Sequence, residues 1–319
     1  LGPIAGLTVS QHDDTGNNLI ICDMGGTSFD ASLVVQGKVL TTLTGQVGPY
    51  HYTFPTLDVH SIGAGGGSIA SVDSGGLVHV GPQSAGSSPG PACYGLGGDK
   101  PTVTDANVVL GYISPDYFMG GTMEISVDLA AKAVKRHIAD PLKISVEAAA
   151  GLIYATVNQN MVLGLSEVSI QKGIDPRGFL VVAGGGCSSA HIVPIARELG
   201  IKDILIPKIA PVLCAFGMLA ADLLYEKARS LITTSDHFVF DQVNSTLSNL
   251  VEDANQFLSR AEVPPGKRQL SFSVMAAYPY QSLEIEVPLP WDQVTEENLP
   301  ELIDLFNQAH NQTYGFTVP

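Results

Sequence analysis

The residues with the clearest capacity for chemistry are Asp23-Met-Gly-Gly-Thr-Ser-Phe-Asp30. An apolar run, Leu19 to Cys22, leads into Asp23, and a second, Ser32 to Val35, follows the corner at Gly25-Gly26-Thr27-Ser28. Such a strand–turn–strand hairpin suits a phosphate. Glycine lacks Cβ, so backbone N–H groups at Gly25 and Gly26 can approach an anion closely. Thr27 and Ser28 add hydroxyl donors, and Asp23 and Asp30, flanking the turn, are placed to hold a hydrated Mg²⁺. The competing reading is an ordinary hairpin corner. A Walker A loop is excluded because no Gly-x-x-x-x-Gly-Lys-Ser/Thr is present. A dinucleotide loop fits poorly, because this turn leads into a strand and not a helix.

A second glycine corner lies in Gly178-Phe-Leu-Val-Val-Ala-Gly184-Gly185-Gly186, followed by a helical pattern closed at Gly200 and a strand at Ile204–Ile206. Strand, glycines, helix and strand together offer backbone contact and free N–H groups to a nucleotide, although a triple glycine also serves as a plain structural turn. Two such corners in one chain favour the nucleotide.

Other elements must position these corners. A third strand is expected over Lys38–Leu43, making a meander over residues 18–44. A hairpin over 56–81 is entered through another glycine bend, Gly63 to Gly67. Residues 81–101, rich in Gly, Ser and Pro, read as an ordered loop that walls a pocket. A short helix is expected near Asp105, with helices over 127–138 and 145–166. The apolar side of the last is taken as Ala148, Leu152, Ala155, Val162 and Leu165. Helices over 239–262 and 295–311 and a hairpin over 268–288, broken at Pro279, form a tail of different texture.

Composition bounds the possibilities. Of 319 residues, 45% are hydrophobic and 15% charged, which fits a folded chain with room for two domains. The net charge of −15 disfavours nucleic acid and anionic membranes as partners, so an anionic nucleotide needs local help from amides and a cation. Cys22, Cys93, Cys187 and Cys214 are scattered, with no zinc or disulfide spacing, and the reading is a reducing cytoplasm. No signal peptide or long apolar run is evident. The chain opens at Leu1, without Met and within a Gly-Pro-x-x-Gly loop, and it is read as a piece of a longer polypeptide.

The order of segments is more specific than any single motif. Asp23 to Asp30 is followed by Asp58-Val-His-Ser-Ile-Gly-Ala-Gly-Gly-Gly-Ser-Ile-Ala70, then by Gly81-Pro-Gln-Ser-Ala-Gly-Ser-Ser-Pro-Gly-Pro-Ala-Cys-Tyr-Gly95. Next come Pro101-Thr-Val-Thr-Asp-Ala-Asn-Val-Val-Leu-Gly111 and Asp175-Pro-Arg-Gly-Phe-Leu-Val-Val-Ala-Gly-Gly-Gly186, and at the end His310-Asn-Gln-Thr-Tyr-Gly-Phe316. This series closely resembles the hydantoinase A/5-oxoprolinase family, well over about residues 1–225 and loosely beyond. The resemblance implies an α/β fold of the actin-like ATPase (ribonuclease H-like) type with mixed sheets and flanking helices. It implies an ATPase core over 1–225 and an incomplete α+β subdomain over 226–319. Asp23 to Asp30 is then the second phosphate hairpin, Gly184 to Gly186 the adenosine turn, and ATP with Mg²⁺ the cofactors.

Also implied are partners: the remaining N-terminal part of the A subunit, which carries the first phosphate hairpin, and a hydantoinase B-type subunit, which carries the hydrolytic metal, in a hetero-oligomer. The activity implied is hydrolysis of a hydantoin, oxoproline or lactam after ATP-dependent phosphorylation of its carbonyl oxygen. The alternatives are a ketone carboxylase subunit of the acetone or acetophenone type and a non-catalytic assembly module. Candidate catalytic residues are Asp23, Asp105 and His60. Asp105 reads equally as a helix cap, and His60 as a structural histidine. Two departures stand out. Ser188 and Ser189 follow the adenosine glycines where relatives often carry glycine or proline, so that their side chains could narrow the approach of adenine. Ala277 and Tyr280 occupy positions usually filled by Arg and Gly.

Overall fold

The computed structural model describes residues 2–10, 17–42, 45–47, 49–52 and 56–318. The chain divides into two compact units, Leu1–Ala221 and Asp222–Pro319. The first is built on a sheet whose strands are β1 (Leu19–Met24), β2 (Phe29–Val35), β3 (Lys38–Val39), β8 (Val59–Ile62), β11 (Leu180–Gly184) and β12 (Asp203–Leu205). Its order is β12-β11-β1-β2-β3, with β8 pairing the start of β2. β1, β2 and β3 form an antiparallel meander, while β11 and β12 join β1 in parallel. The third strand of the meander stops at Val39; Thr41–Thr42 (β4) turns away to pair Thr56–Leu57 (β7), and Leu43 lies outside the described residues. Gly45–Val47 (β5) and Tyr50–Tyr52 (β6) form a separate ladder. Beyond the second glycine bend, Ser68–Val72 (β9) and Val78–Ser84 (β10) make the expected hairpin.

β1 and β11 are apolar because the sheet is covered on both faces. Ile20, Cys22 and Met24, with Val181 and Ala183, enter one core beneath helices α2 (Val103–Val109), α3 (Val127–Val134), α5 (Val146–Val168) and α6 (Ser188–Glu198). Leu19 and Ile21, with Leu180 and Val182, enter the other, beneath α1 (Gly2–Ser10) and α7 (Leu213–Ala220). The opening Gly-Pro-x-x-Gly segment is therefore helical rather than a loop. A Cβ on Gly6 would come within 2.6 Å of Ile21, so glycine lets the helix lie directly on β1. α3 continues through a wider turn at Lys135–Ala139 into the short α4 (Asp140–Leu142).

The buried face of α5 is Ala149, Ala150, Ile153, Val157, Met161, Val162, Leu165 and Val168; Ala148, Leu152 and Ala155 face outward. Apolar residues surround this helix, so more than one stripe satisfies its 3.6-residue period, and packing against the sheet decides between them. In the second unit, α8 (Phe240–Arg260) and α9 (Leu299–Tyr314) accompany the hairpin β13 (Phe272–Ala276) and β14 (Ile285–Leu289) around their own core. There Tyr280 takes a positive φ of 68°, a left-handed corner that favours glycine.

Three helices are tied together by one buried histidine. His191 on α6 is 1% exposed; its Nδ1 lies 2.7 Å from Asn158 Oδ1 on α5 and its Nε2 2.9 Å from Asn107 Nδ2 on α2. A neutral ring that donates at Nδ1 and accepts at Nε2 satisfies both contacts. Burial pushes its pKa from near 6.5 down to about 4. Above pH 6.5 the ring is neutral in folded and unfolded chains alike. As pH falls from 6.5 toward 4, the unfolded chain gains a proton that the folded one refuses, so stability drops across that window. The His191 contribution amounts to about 3 kcal/mol. Urea unfolding at pH 7, 5.5 and 4 measures it, and His191→Gln, which does not titrate, flattens that part of the profile.

Candidate nucleotide-phosphate site

Both glycine corners sit at the ends of adjacent parallel strands, where Asp23 of β1 is level with Gly184 of β11. Gly185 has φ +81°, and a Cβ there would fall 2.2 Å from the Met24 carbonyl oxygen and 2.5 Å from Asp23 Oδ1. Only glycine permits that approach. Cys187 N–H donates to Met24 O at 3.0 Å, and Met24 N–H donates to Ser188 Oγ at 3.0 Å. The corners that the sequence separates by some 160 residues are therefore in direct contact.

The turn Gly25–Ser28 is held from behind by the bend Gly63–Gly67. Gly66 N–H donates to Gly25 O at 3.0 Å and Gly67 N–H to Gly26 O at 2.7 Å. In a trans peptide the N–H points opposite to the C=O. With both carbonyls turned toward the supporting bend, the N–H groups of Gly26 and Thr27 point away from it, side by side. Such successive amides form an anion-binding concavity. The glycines of the supporting bend answer to close packing: a Cβ on Gly65 would lie 2.6 Å from Thr27 N, and one on Gly67 2.9 Å from Gly26 O. Gly25, Gly26 and Gly186 differ. None has a positive φ, and a Cβ on any of them would meet nothing within 4 Å. Among the described residues no neighbour calls for their lack of a side chain; it keeps open the space in front of the corners.

Asp23 and Asp30 are directly opposite in the β1–β2 ladder, and Ser61 is opposite Asp30 in the β2–β8 ladder, so all three side chains share one sheet face. Ser61 Oγ donates to Asp30 Oδ1, Ser28 Oγ donates to Asp30 Oδ2 at 3.5 Å, and Cys214 Sγ on α7 donates to Asp23 Oδ2 at 2.9 Å. Burial, then the bond to Asp23, pushes the Cys214 thiol up to about 11, so it remains a protonated donor at neutral pH. Two unlike-partnered carboxylates side by side repel each other, and a divalent cation with its water relieves that repulsion. Among the described residues no cluster of three or more His, Cys, Asp and Glu offers a metal a full ligand set. A cation here would take two carboxylates, water and phosphate oxygens, which is the usual pattern for Mg²⁺.

His60 lies elsewhere. As a neighbour of Ser61 along β8 it projects to the opposite sheet face, where Nε2 meets Glu167 Oε2 on α5 at 2.9 Å. The geometry does not bring His60 to the carboxylate pair. Asp105 is fully buried at the third position of α2, whose cap is Thr102. Its two oxygens accept from the N–H groups of Ala92 (3.2 Å), Cys93 (2.7 Å) and Thr102 (2.8 Å) and from the Thr102 hydroxyl (2.8 Å). These contacts pin the loop 85–101 to the helix, and they occupy the carboxylate from within. Ser188 turns into the sheet, away from the open space, and only Ser189 of the pair is exposed.

A three-stranded antiparallel meander extended by two parallel strands, with a glycine hairpin at one strand end and a glycine–helix turn at the next, defines the actin-like ATPase class of fold. The comparisons agree. The profile of the Hydantoinase/oxoprolinase family matches residues 2–227, and this chain belongs to that family. It is 39% identical over 320 residues to the caprolactamase subunit alpha of Pseudomonas jessenii, covering 99% of this chain and 46% of that one. The crystal structure of the ATP-dependent caprolactamase from the same organism superposes with a TM-score of 0.79 at 39% identity, over all of this chain and 46% of the other. A nucleotide-free acetone carboxylase structure superposes with a TM-score of 0.81 at 28% identity, over 98% of this chain and 46% of that one. The chain thus spans about half the length of the relatives it matches.

Two substitutions separate support from contact. Gly65→Ala pushes a methyl group into the Gly26–Thr27 peptide, and the complete protein should lose at least about tenfold in nucleotide affinity, measured by titration calorimetry. Asp105→Asn removes an acceptor from a buried charge-assisted cluster and should cost about 2–3 kcal/mol of stability, read from urea unfolding. An Asp105→Asn protein of undiminished stability that had lost turnover would instead assign Asp105 to the chemistry.

Proposed function

We propose that this chain is the phosphate- and adenosine-binding half of an ATP-dependent hydrolase subunit acting on a cyclic amide such as a hydantoin, oxoproline or lactam. The observation that carries the reading is the arrangement around the end of β1. Paired N–H groups at Gly26 and Thr27, the carboxylates of Asp23 and Asp30 and the open space before Gly25, Gly26 and Gly186 converge there. The caprolactamase and acetone carboxylase likenesses support ATP dependence. Mg²⁺, the B-type partner, the N-terminal remainder with its own phosphate hairpin and a cytoplasmic setting belong to this proposal. Among the described residues no helix is long and apolar enough to cross a membrane.

The chemical problem is the inertness of an unstrained amide toward water. Transfer of the γ-phosphoryl group to the carbonyl oxygen forms an O–P bond as the bond to ADP breaks, and loss of the amide proton leaves an imidate phosphate. Water then adds at carbon, the C–N bond breaks to release the nitrogen as a protonated amine, and a second water hydrolyses the acyl phosphate that remains to carboxylate and phosphate. Phosphoryl transfer of this kind needs positioning and charge neutralisation more than covalent participation by protein. In this reading the amides of Gly26 and Thr27, with the hydroxyls of Thr27 and Ser28, hold the terminal phosphate oxygens. Asp23, with Asp30 beside it, would hold Mg²⁺, which would neutralise phosphate charge when bound. Gly184 to Gly186 admit the adenosine end at the start of α6, and His191 and Asp105 act only by fixing the helices beneath.

The acetone carboxylase likeness favours one second reading, a ketone carboxylase subunit with the same nucleotide site. Substrate-dependent ADP release separates the two. A lactam or hydantoin that stimulates ADP formation without bicarbonate supports the hydrolase, and a joint requirement for ketone and bicarbonate supports the carboxylase. In either case Asp23→Ala in the complete enzyme should lower ATP turnover by at least about 10³-fold with the fold intact by circular dichroism. Wild-type ADP production by that variant would remove Asp23 from the site.

A further inference from the structure

We infer that Ser188 is a positioning residue that sets the spacing between the phosphate corner and the adenosine corner, and so couples the two ends of a bound nucleoside triphosphate; this rests on the nucleotide reading above. Ser188 opens α6 and is 3% exposed. A serine at a helix start ordinarily spends its oxygen on the N–H groups of its own first turn. Here no side chain caps α6 in that way. The Ser188 hydroxyl instead accepts from Met24 N–H at 3.0 Å and donates to the Gly184 carbonyl oxygen. Beside it, Cys187 N–H donates to Met24 O at 3.0 Å. Both polar groups of Met24 are therefore taken by the N-cap and first residue of α6, immediately before the chain enters Gly25. The same clip bonds backwards to Gly184, immediately before Gly185. One hydroxyl bridges the last residues of two strands, each continuous with one corner.

A ligand that spans two subsites gains affinity only if they stand at the spacing of its two ends, because the second contact is then made at high effective concentration. A fragment that fills one subsite is indifferent to that spacing. Ser188→Ala leaves the Met24 N–H and the Gly184 carbonyl without their shared partner and removes one of the two bonds that hold the end of β1 to the start of α6. Gly66 and Gly67 continue to hold the phosphate turn from the other side. The clip therefore makes a prediction that a general loss of structure does not: affinity for the whole nucleotide falls while affinity for its polyphosphate part stays.

The test uses the complete protein in the assembly in which it purifies. ATP and inorganic tripolyphosphate are titrated separately into wild type and Ser188→Ala, with melting temperature as a control. The expected result is an ATP dissociation constant raised about tenfold, an unchanged tripolyphosphate constant, and recovery of ATP affinity in Ser188→Thr, which keeps the hydroxyl. Unchanged ATP affinity in Ser188→Ala overturns the proposal, and so does an equal loss for both ligands. Should Ser188→Ala not fold, Ser188→Cys keeps the size with a weaker acceptor, and the same two titrations decide. A wild-type protein that binds tripolyphosphate but gains nothing from the adenosine end overturns the coupling while leaving the phosphate site standing. A wild type that binds neither ligand overturns the nucleotide reading itself.

Discussion

The site depends on the peptide groups at the end of β1. Strand β1 is fixed laterally by β2 and β11 and vertically by two apolar cores, so its last residue, Met24, has little freedom. The first turn of α6 takes its N–H and its C=O, and the chain then turns into Gly25 with its direction already set. Gly66 and Gly67 take the next two carbonyls. Four consecutive peptides are thereby oriented by hydrogen bonds from two distant segments, which leaves the amides of Gly26 and Thr27 aimed the other way. Preorganised donors of this kind need no rearrangement when negative charge arrives.

The glycines divide accordingly. Gly65, Gly67, Gly184 and Gly185 are demanded by neighbours: a methyl group at Gly184 would strike Leu213 at 2.5 Å, as one at Gly65 would strike Thr27. Gly25, Gly26 and Gly186 are demanded by nothing within the described fold. The first set builds the corners, and the second leaves room in front of them. A sequence displays both kinds identically, and only the surroundings tell them apart.

Much was legible in the residue order. The apolar runs around Asp23 and Val181 carry no alternation because both faces of the sheet are covered, and they were readable as buried strands for that reason. The glycine corners were readable from composition and spacing. Other features depend on contacts between distant segments. Ser188 reads as a side chain that narrows the approach of adenine, and nothing local reveals that its hydroxyl serves β1. Asp105 looks like a cap; the capping residue is Thr102, and the carboxylate's further partners, Ala92 and Cys93, lie more than ten residues away. His60 adjoins Ser61 in sequence, yet strand alternation sends the two to opposite faces. On α5 the apolar residues encircle the helix, so period alone did not choose the buried stripe.

The loop that follows β10 is anchored twice: Ala85 N–H donates to Gly67 O at its start, and Asp105 grips Ala92 and Cys93 farther on. Polypeptide tethered in this manner behaves as masonry and not as a curtain. Whatever meets this stretch finds a contour already set, so contact asks little further ordering of the chain.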